Sequence, residues 1–208
     1  MSLRTRALVF ALTLSLSGAA LAGEGPIWQE SYDHEGRGRV ADALSDLERL
    51  SAASRDSYIH HLRRGWLLYL LGKFSSSADA YRLAVNKSPR AIEPLLGLAT
   101  ALLAGGKWSE AAAACTNVLN LDQKNTLAHG KLAWARFNEG RFKDAELSYR
   151  RVLEAYPADV DMRAGLGWSL LKLGKAQEAA QELHAVLDVA PRHASAKAGL
   201  EVLGQGGR

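Results

Sequence analysis

Apolar residues recur along this chain with a period of 34 residues, marked by glycines at 38, 72, 106, 140 and 174. The columns beside the glycines keep the same register, so the period does not rest on glycine alone. Positions five residues after each glycine are small, and positions twelve residues after it are apolar. The positions nine residues after it hold Leu47, Tyr81, Cys115, Tyr149 and Leu183. The chain therefore contains five copies of one structural unit.

Each unit is predicted to be a pair of helices. Offsets of five, nine and twelve differ by four and three residues, which places those side chains on one face of a second helix. A first helix with the same spacing precedes the glycine, for example at Leu98, Ala99 and Leu102. The glycine stands between the two helices, where a residue that accepts positive φ ends the first helix and opens a tight turn.

Two further columns lead to a known family. Small residues stand seven positions before four of the glycines, where a large side chain would hold two helices apart, and proline closes three units because it cannot continue a helix. With its 34-residue period, the set Gly65, Gly72, Ala84 and Pro89 resembles the tetratricopeptide repeat. The resemblance implies an all-α fold, a right-handed superhelical solenoid of helix-turn-helix repeats, whose first helices line a concave, peptide-binding side.

We expect the repeat domain to span residues 24–203, with repeats at 24–57, 58–91, 92–125, 126–159 and 160–193. A C-terminal capping helix follows at 194–203, and a flexible tail at 204–208. The first repeat is degenerate, because Gly25 and Pro26 interrupt its start and Arg55 replaces the closing proline. It is expected to be either an N-terminal cap or partly disordered.

A second face of the first helices is rich in aromatic residues. Tryptophan or tyrosine stands six positions before four of the five glycines, with Thr100 in the remaining place, and Lys131, Lys172 and Arg63 lie nearby to orient a carboxylate. The candidates for a ligand groove are Tyr32, Trp66, Tyr69, Leu103, Lys131, Trp134, Phe137, Trp168, Leu171 and Lys172. Trp and Tyr dominate binding energy at interfaces. The competing interpretation is that the aromatic residues fill the seams between helices.

A long exposed apolar strip promotes aggregation unless a partner covers it. We expect a protein or peptide partner, with a glycan of polysaccharide export or cell-wall processes, self-association, or an accessory role beside an envelope enzyme as alternatives. Within the resembling family, the clamp for chaperone C-terminal tails needs lysine and asparagine in columns held here by Leu62, Trp66, Gly97, Leu127 and Lys131. Only Lys131 fits, which excludes that partner.

The chain shows no pattern typical of catalysis, a cofactor or a metal. His60 and His61 are adjacent and so point about 100° apart on a helix, and no other ligand type completes a metal pattern. Cys115 occupies an apolar packing column and is interpreted as an inert buried thiol. The segment from Gly36 to Ala41 imitates a dinucleotide loop without a preceding strand. We therefore expect a non-catalytic protein without a cofactor.

The N-terminus has the order of a secretory signal, because Arg4 and Arg6 precede the apolar run from Ala7 to Leu16 and the small residues that end at Ala22. The run is shorter than the ~20 residues of a spanning helix. Residue 23 is glycine rather than the cysteine of a lipoprotein. Cleavage after residue 22 leaves 24 basic and 22 acidic residues, a net charge of +2 in place of +4. Nucleic-acid binding thereby loses its basis, and the protein is expected to be periplasmic or secreted.

We predict that cell fractionation will find the major species outside the cytoplasm, beginning near Gly23, because the signal ends in the small residues Ala20 and Ala22. Mass spectrometry of the N-terminal peptide measures the cleavage point. An intact Met1 end on the major cellular species would contradict the prediction.

Overall fold

The computed structural model describes residues 23–206, so the predicted secretory signal at residues 1–22 lies outside the described part of the chain. Residues 23–206 are helical and contain no strand. They divide into two compact units, the first ending at Pro94 and the second beginning at Leu95. In this part of the chain, no helix combines the length and apolar character that crossing a membrane requires.

The helices follow the repeat period. The first unit contains α1 (Gly25–Gly36), α2 (Val40–Asp46), a 3₁₀ turn (Leu47–Arg49), α3 (Ala52–Arg55), α4 (Tyr58–Leu70) and α5 (Phe74–Lys87). Helix α6 (Ile92–Ala104) begins just before the boundary, and the second unit continues with α7 (Trp108–Leu121), α8 (Thr126–Asn138), α9 (Phe142–Ala155), α10 (Val160–Lys172), α11 (Ala176–Val189) and α12 (Ala194–Gly206).

The period glycines form the turns within each helix pair. All five adopt φ between 71° and 76°, and no other residue type in the described chain has positive φ. At Gly72, the backbone N–H donates to the Tyr69 carbonyl at 2.9 Å, and the N–H of Lys73 donates to the Leu68 carbonyl at 2.9 Å. These two bonds satisfy carbonyls that the end of a helix leaves free. A side chain at this φ would be strained, which explains the glycine column.

The small residues of the first helices allow close packing against the second helices. A Cβ added at Gly65 would lie 3.0 Å from the Tyr81 ring, and one at Gly167 would lie 2.7 Å from the Leu183 side chain. The carbonyl of Gly65 also accepts a hydrogen bond of 2.7 Å from the buried Ser77 hydroxyl. The close helix crossing expected from this column is therefore present at both glycines.

The first repeat has an irregular second half. Its second helix is α2, which ends at Asp46 and passes through the 3₁₀ turn into an extended residue, Leu50. Ser51 then caps α3, because its side chain accepts a hydrogen bond from the Ser54 N–H. Its buried residues Ala43, Leu47 and Leu50 form a core cluster with Leu67 of α4, and Ile27, Trp28, Val40 and Leu44 pack beside this cluster.

Helix α12 covers the end of the second unit. Ala196 is fully buried in a cluster with Leu183 and Val186, and a Cβ at Gly199 would lie 2.7 Å from the Leu183 side chain. These contacts bury the apolar face that α11 would otherwise expose. The last helix thus acts as the cap that a helical repeat array requires.

We predict that truncation after His193 will lower the free energy of unfolding of the second unit by at least about 3 kcal/mol, because Leu183 and Val186 would become exposed. Urea denaturation followed by circular dichroism measures the change. Truncation after Gly204 is the matched control, since it leaves the buried part of α12 in place. An unchanged unfolding midpoint in the longer truncation would show that α12 contributes no packing energy.

Candidate functional site

Trp134 of α8 is an exposed aromatic residue on the surface of the second unit. It is 49% exposed although it is a large aromatic residue. It lies between two cavities, of about 800 Å³ and about 530 Å³, and lines both of them. The two cavities also share Gly130 and Met162. A Cβ at Gly130 would lie 3.3 Å from the Met162 sulfur, so glycine at this position lets the Met162 side chain pack closely against α8.

Ring stacking fixes the orientation of Trp134. Its indole lies parallel to the Phe137 ring, with centroids 6.3 Å apart and an interplanar angle of 7°. Phe137 in turn contacts Phe142 edge to face at 5.3 Å and packs against the buried cluster of α9 and α10. The indole is thus exposed but held from below by rings that are anchored in the core.

Lys131 is a half-buried cation in the larger cavity. Burial away from water lowers its pKa from the ordinary lysine value. Within residues 23–206, no carboxylate lies within ion-pair distance of it. Two carboxylates of the same cavity already accept backbone hydrogen bonds: Asp122 accepts from the Lys124 N–H at 3.1 Å in the turn after α7, and Asp159 caps α10 by accepting from the Met162 N–H at 3.0 Å. The Lys131 ammonium therefore keeps its hydrogen-bonding capacity for a ligand.

Trp168 has a different environment from Trp134, although both stand in the same column of the repeat. Its indole N–H donates to the Ser195 hydroxyl at 2.9 Å and to the Ser195 carbonyl at 3.1 Å. Its ring also lies 3.5 Å from where a Cβ at Gly199 would be. Trp168 is half-buried and connects α10 to α12, so it combines a structural contact with a place in the wall of the smaller cavity.

The remaining candidates of the second unit are divided between cavity and core. Leu103 lines the larger cavity, and Lys172 is exposed at the smaller one. Leu171 is only partly buried and packs against the core cluster of α9 and α10. The structure thus groups Lys131, Trp134, Phe137, Trp168 and Lys172 around two adjoining cavities and places Leu171 against the core.

A separate cavity of about 510 Å³ lies in the first unit. Its walls include the aromatic residues Tyr32, Trp66 and Tyr81 and the charged residues Glu35, Arg63 and Glu93. Trp66 is 42% exposed, and its indole N–H donates to the Glu35 carboxylate at 2.5 Å. Tyr69 stacks on Trp66 with centroids 5.8 Å apart and contacts Phe74 at 5.8 Å on its other side.

The interpretation of Arg63 as a residue that orients a ligand carboxylate is wrong. Arg63 is 5% exposed, and its guanidinium already donates to Glu35 at 2.8 Å and to the Ser31 hydroxyl at 3.0 Å. It also lies 3.5 Å above the centroid of the Tyr32 ring. Glu35 is the only acidic residue in a column that is otherwise Tyr, Leu and Phe, and this exception is the sequence signal from which an internal ion pair could have been inferred.

His60, His61 and Cys115 are packing residues. The two imidazole rings are buried and contact each other edge to face at 5.4 Å, and burial lowers the pKa of His60 to about 4. Burial raises the pKa of the Cys115 thiol to about 11, so it stays protonated at neutral pH. Among residues 23–206, no three potential ligands of the His, Cys, Asp or Glu type converge on a metal position.

Family comparisons identify the repeat. One tetratricopeptide repeat profile matches residues 29–92 and 96–160, and a second matches residues 136–202. Among curated proteins, no sequence matches this chain significantly. The predicted resemblance to the tetratricopeptide repeat is thereby confirmed.

Several solved structures share the fold. MamA residues 41 to the end, from Desulfovibrio magneticus RS-1, matches with a TM-score of 0.75 and 14% identity over 81% of this chain and 95% of that one. YrrB, described as a TPR protein with an unusual peptide-binding site, matches with a TM-score of 0.74 and 16% identity over 85% and 91%. A tetratricopeptide repeat protein from Parabacteroides merdae ATCC 43184 matches with a TM-score of 0.77 and 19% identity over 86% and 71%. The predicted all-α repeat fold is confirmed.

We predict that Trp168→Ala and Trp134→Ala will differ in their effect on stability. Trp168→Ala removes the hydrogen bonds to Ser195 and leaves a void beside α12, which we expect to cost about 3 kcal/mol of the free energy of unfolding. Trp134→Ala removes a half-exposed ring and should cost about 1 kcal/mol or less. Urea denaturation of the two variants side by side makes the comparison, and equal losses would refute the distinction.

Proposed function

Because this chain belongs to the tetratricopeptide repeat family, whose repeats bind protein or peptide partners, we propose that it is a non-catalytic adaptor for an extended segment of a partner protein. The segment binds along the second unit, over Trp134 and the two cavities beside it. The partner supplies apolar side chains for the cavities and an acidic group for Lys131.

The observation that carries this proposal is the exposed but rigid Trp134. A rigid aromatic side chain loses little conformational entropy on binding, and such residues are frequent among those that dominate binding energy. Its position between two adjoining cavities suits a chain that places one apolar side chain on each side of the indole. The cavities have the size of small-ligand pockets, but they adjoin each other and share Gly130, Trp134 and Met162 in their walls, which favours a continuous segment that occupies both.

Lys131 indicates the charge of the proposed ligand. Its ammonium is partly desolvated and has no carboxylate partner within residues 23–206, so an acidic group that enters the larger cavity meets a cation whose hydration is already reduced. A charge-assisted hydrogen bond of this kind is about twice as strong as a neutral one. We therefore expect ligands with an acidic residue next to apolar residues.

Two further considerations support the proposal. YrrB, which shares the fold, is described as having an unusual peptide-binding site, and a peptide is the ligand class that we propose here. The secretory signal predicted from Arg4, Arg6 and the small residues before Gly23 leads us to place the adaptor in the periplasm or outside the cell. Its partner is then a protein of the cell envelope.

The test is selection of peptides from a random display library on the mature protein, residues 23–208, followed by affinity measurement of the selected peptides by calorimetry. We predict that Trp134→Ala weakens binding at least about 30-fold, which corresponds to roughly 2 kcal/mol. Lys131→Gln should weaken the binding of peptides that carry an acidic residue and leave the binding of their amide analogues unchanged.

Thr100→Ala is the matched control, because Thr100 stands in the column of Trp134 one repeat earlier and its hydroxyl is bonded to its own helix at the Leu96 carbonyl. It should leave the affinity unchanged. Failure to select peptides that depend on Trp134 would overturn the proposal. Binding to a glycan array that is lost in Trp134→Ala would instead favour a polysaccharide as the ligand. Concentration-dependent sedimentation that is lost in Trp134→Ala would favour a second copy of the chain as the partner.

A further inference from the structure

We infer that the cavity of the first unit is a docking site for an arginine side chain of a partner protein. This site uses none of the residues of the groove proposed above, and it lies in the other compact unit. Its walls combine an exposed tryptophan with a carboxylate that has no cationic partner.

Trp66 provides a fixed platform in this cavity. Tyr69 stacks on the indole at a centroid distance of 5.8 Å and an angle of 23°, and the indole N–H is held by the Glu35 carboxylate at 2.5 Å. The residue nevertheless remains 42% exposed and lines the cavity, so part of the indole is accessible to a guest in the cavity. An aromatic face in a fixed orientation attracts a cation placed over it.

The charges of the cavity wall leave one carboxylate uncompensated. Arg63 and Glu35 neutralise each other through their 2.8 Å ion pair. The Glu93 carboxylate accepts one side-chain hydrogen bond, from the Tyr58 hydroxyl at 3.4 Å. Within residues 23–206, no lysine, arginine or histidine nitrogen lies within 4.0 Å of this carboxylate. The pKa of Tyr81 in the cavity wall is raised to about 12, mainly by burial and secondly by the negative charge of Glu93. The charge of Glu93 therefore acts on groups inside the cavity. The cavity therefore favours a guest with one positive charge.

The cavity wall already contains one arginine that binds an aromatic ring and a carboxylate together. The guanidinium of Arg63 lies over the Tyr32 ring at 3.5 Å while it donates to a carboxylate, which is the combination that we propose for the guest on Trp66 and Glu93. A planar guanidinium stacks on an aromatic face and binds a carboxylate at its edge, whereas a lysine ammonium is compact and strongly hydrated. A neutral sugar would stack on Trp66 but leave Glu93 unpaired, and an acidic guest would be repelled.

The probe for the test is N-acetyl-arginine N-methylamide, with the citrulline analogue as its neutral isostere. Binding is followed through the indole ¹⁵N–¹H resonance of Trp66 in the mature protein, assigned by its loss in Trp66→Phe. We expect a saturable shift with a dissociation constant on the order of millimolar, since one side chain supplies the contact. The citrulline analogue should bind at least about tenfold more weakly, because it lacks the charge.

Glu93→Gln is the decisive variant, because the side chain is exposed and its replacement leaves the Trp66 platform intact. We expect the arginine probe to bind about twofold to fivefold more weakly to Glu93→Gln, which is the loss typical of an exposed ion pair. Glu201→Gln, which removes an exposed carboxylate from α12, is the control for net charge and should bind as the wild type does. Circular dichroism confirms that each variant is folded.

The inference is overturned if the arginine probe leaves the Trp66 resonance unshifted, if the citrulline analogue binds equally well, or if Glu93→Gln retains wild-type affinity. A Trp66 shift produced by N-acetylglucosamine but not by the arginine probe would assign the cavity to a glycan instead. Repeating the titration on Trp134→Ala separates this site from the proposed groove, because the arginine response should persist there even if no peptide binds to the second unit.

Discussion

The positive backbone angle of the period glycines is the constraint on which the rest of the structure depends. Each of them ends a first helix and lets the chain reverse within two residues, so that the second helix returns along the first. The free carbonyls at the helix end are satisfied by the turn itself, which allows a tight connection without a side-chain cap. Every later feature, from the helix crossings to the two surfaces discussed above, is placed by these five turns.

Close helix packing follows from the turns and decides which faces remain for function. At Gly65 and Gly167 the second helix lies so near that even one additional carbon would contact it. Because the small residues point into these crossings, the large aromatic residues of the first helices lie on another face. There the same column serves different purposes. Trp134 is held by rings below it and exposed above, whereas Trp168 is hydrogen-bonded to the capping helix.

The two compact units also differ in electrostatics. The second unit holds a desolvated lysine, Lys131, without a carboxylate partner in the described chain, and the first holds Glu93 without a cationic one. In the first unit a buried arginine is neutralised internally by Glu35, which fixes the indole of Trp66 at the same time. Each unit thus has an exposed, rigidly supported aromatic ring beside an unpaired charge. This combination is expected of surfaces that bind segments of other proteins.

The sequence by itself determined the repeat, because a period of 34 residues and the spacing of apolar residues by three and four depend only on the chain. It also placed the turn glycines and the small residues at helix crossings, since each is required by local backbone geometry or close approach. Only the tertiary structure separated the roles of Trp134 and Trp168, which share a column but have different neighbours. It likewise revealed that Glu35 and Arg63 form an ion pair between α1 and α4, 28 residues apart, because such pairing depends on which helices pack together rather than on the sequence around either residue.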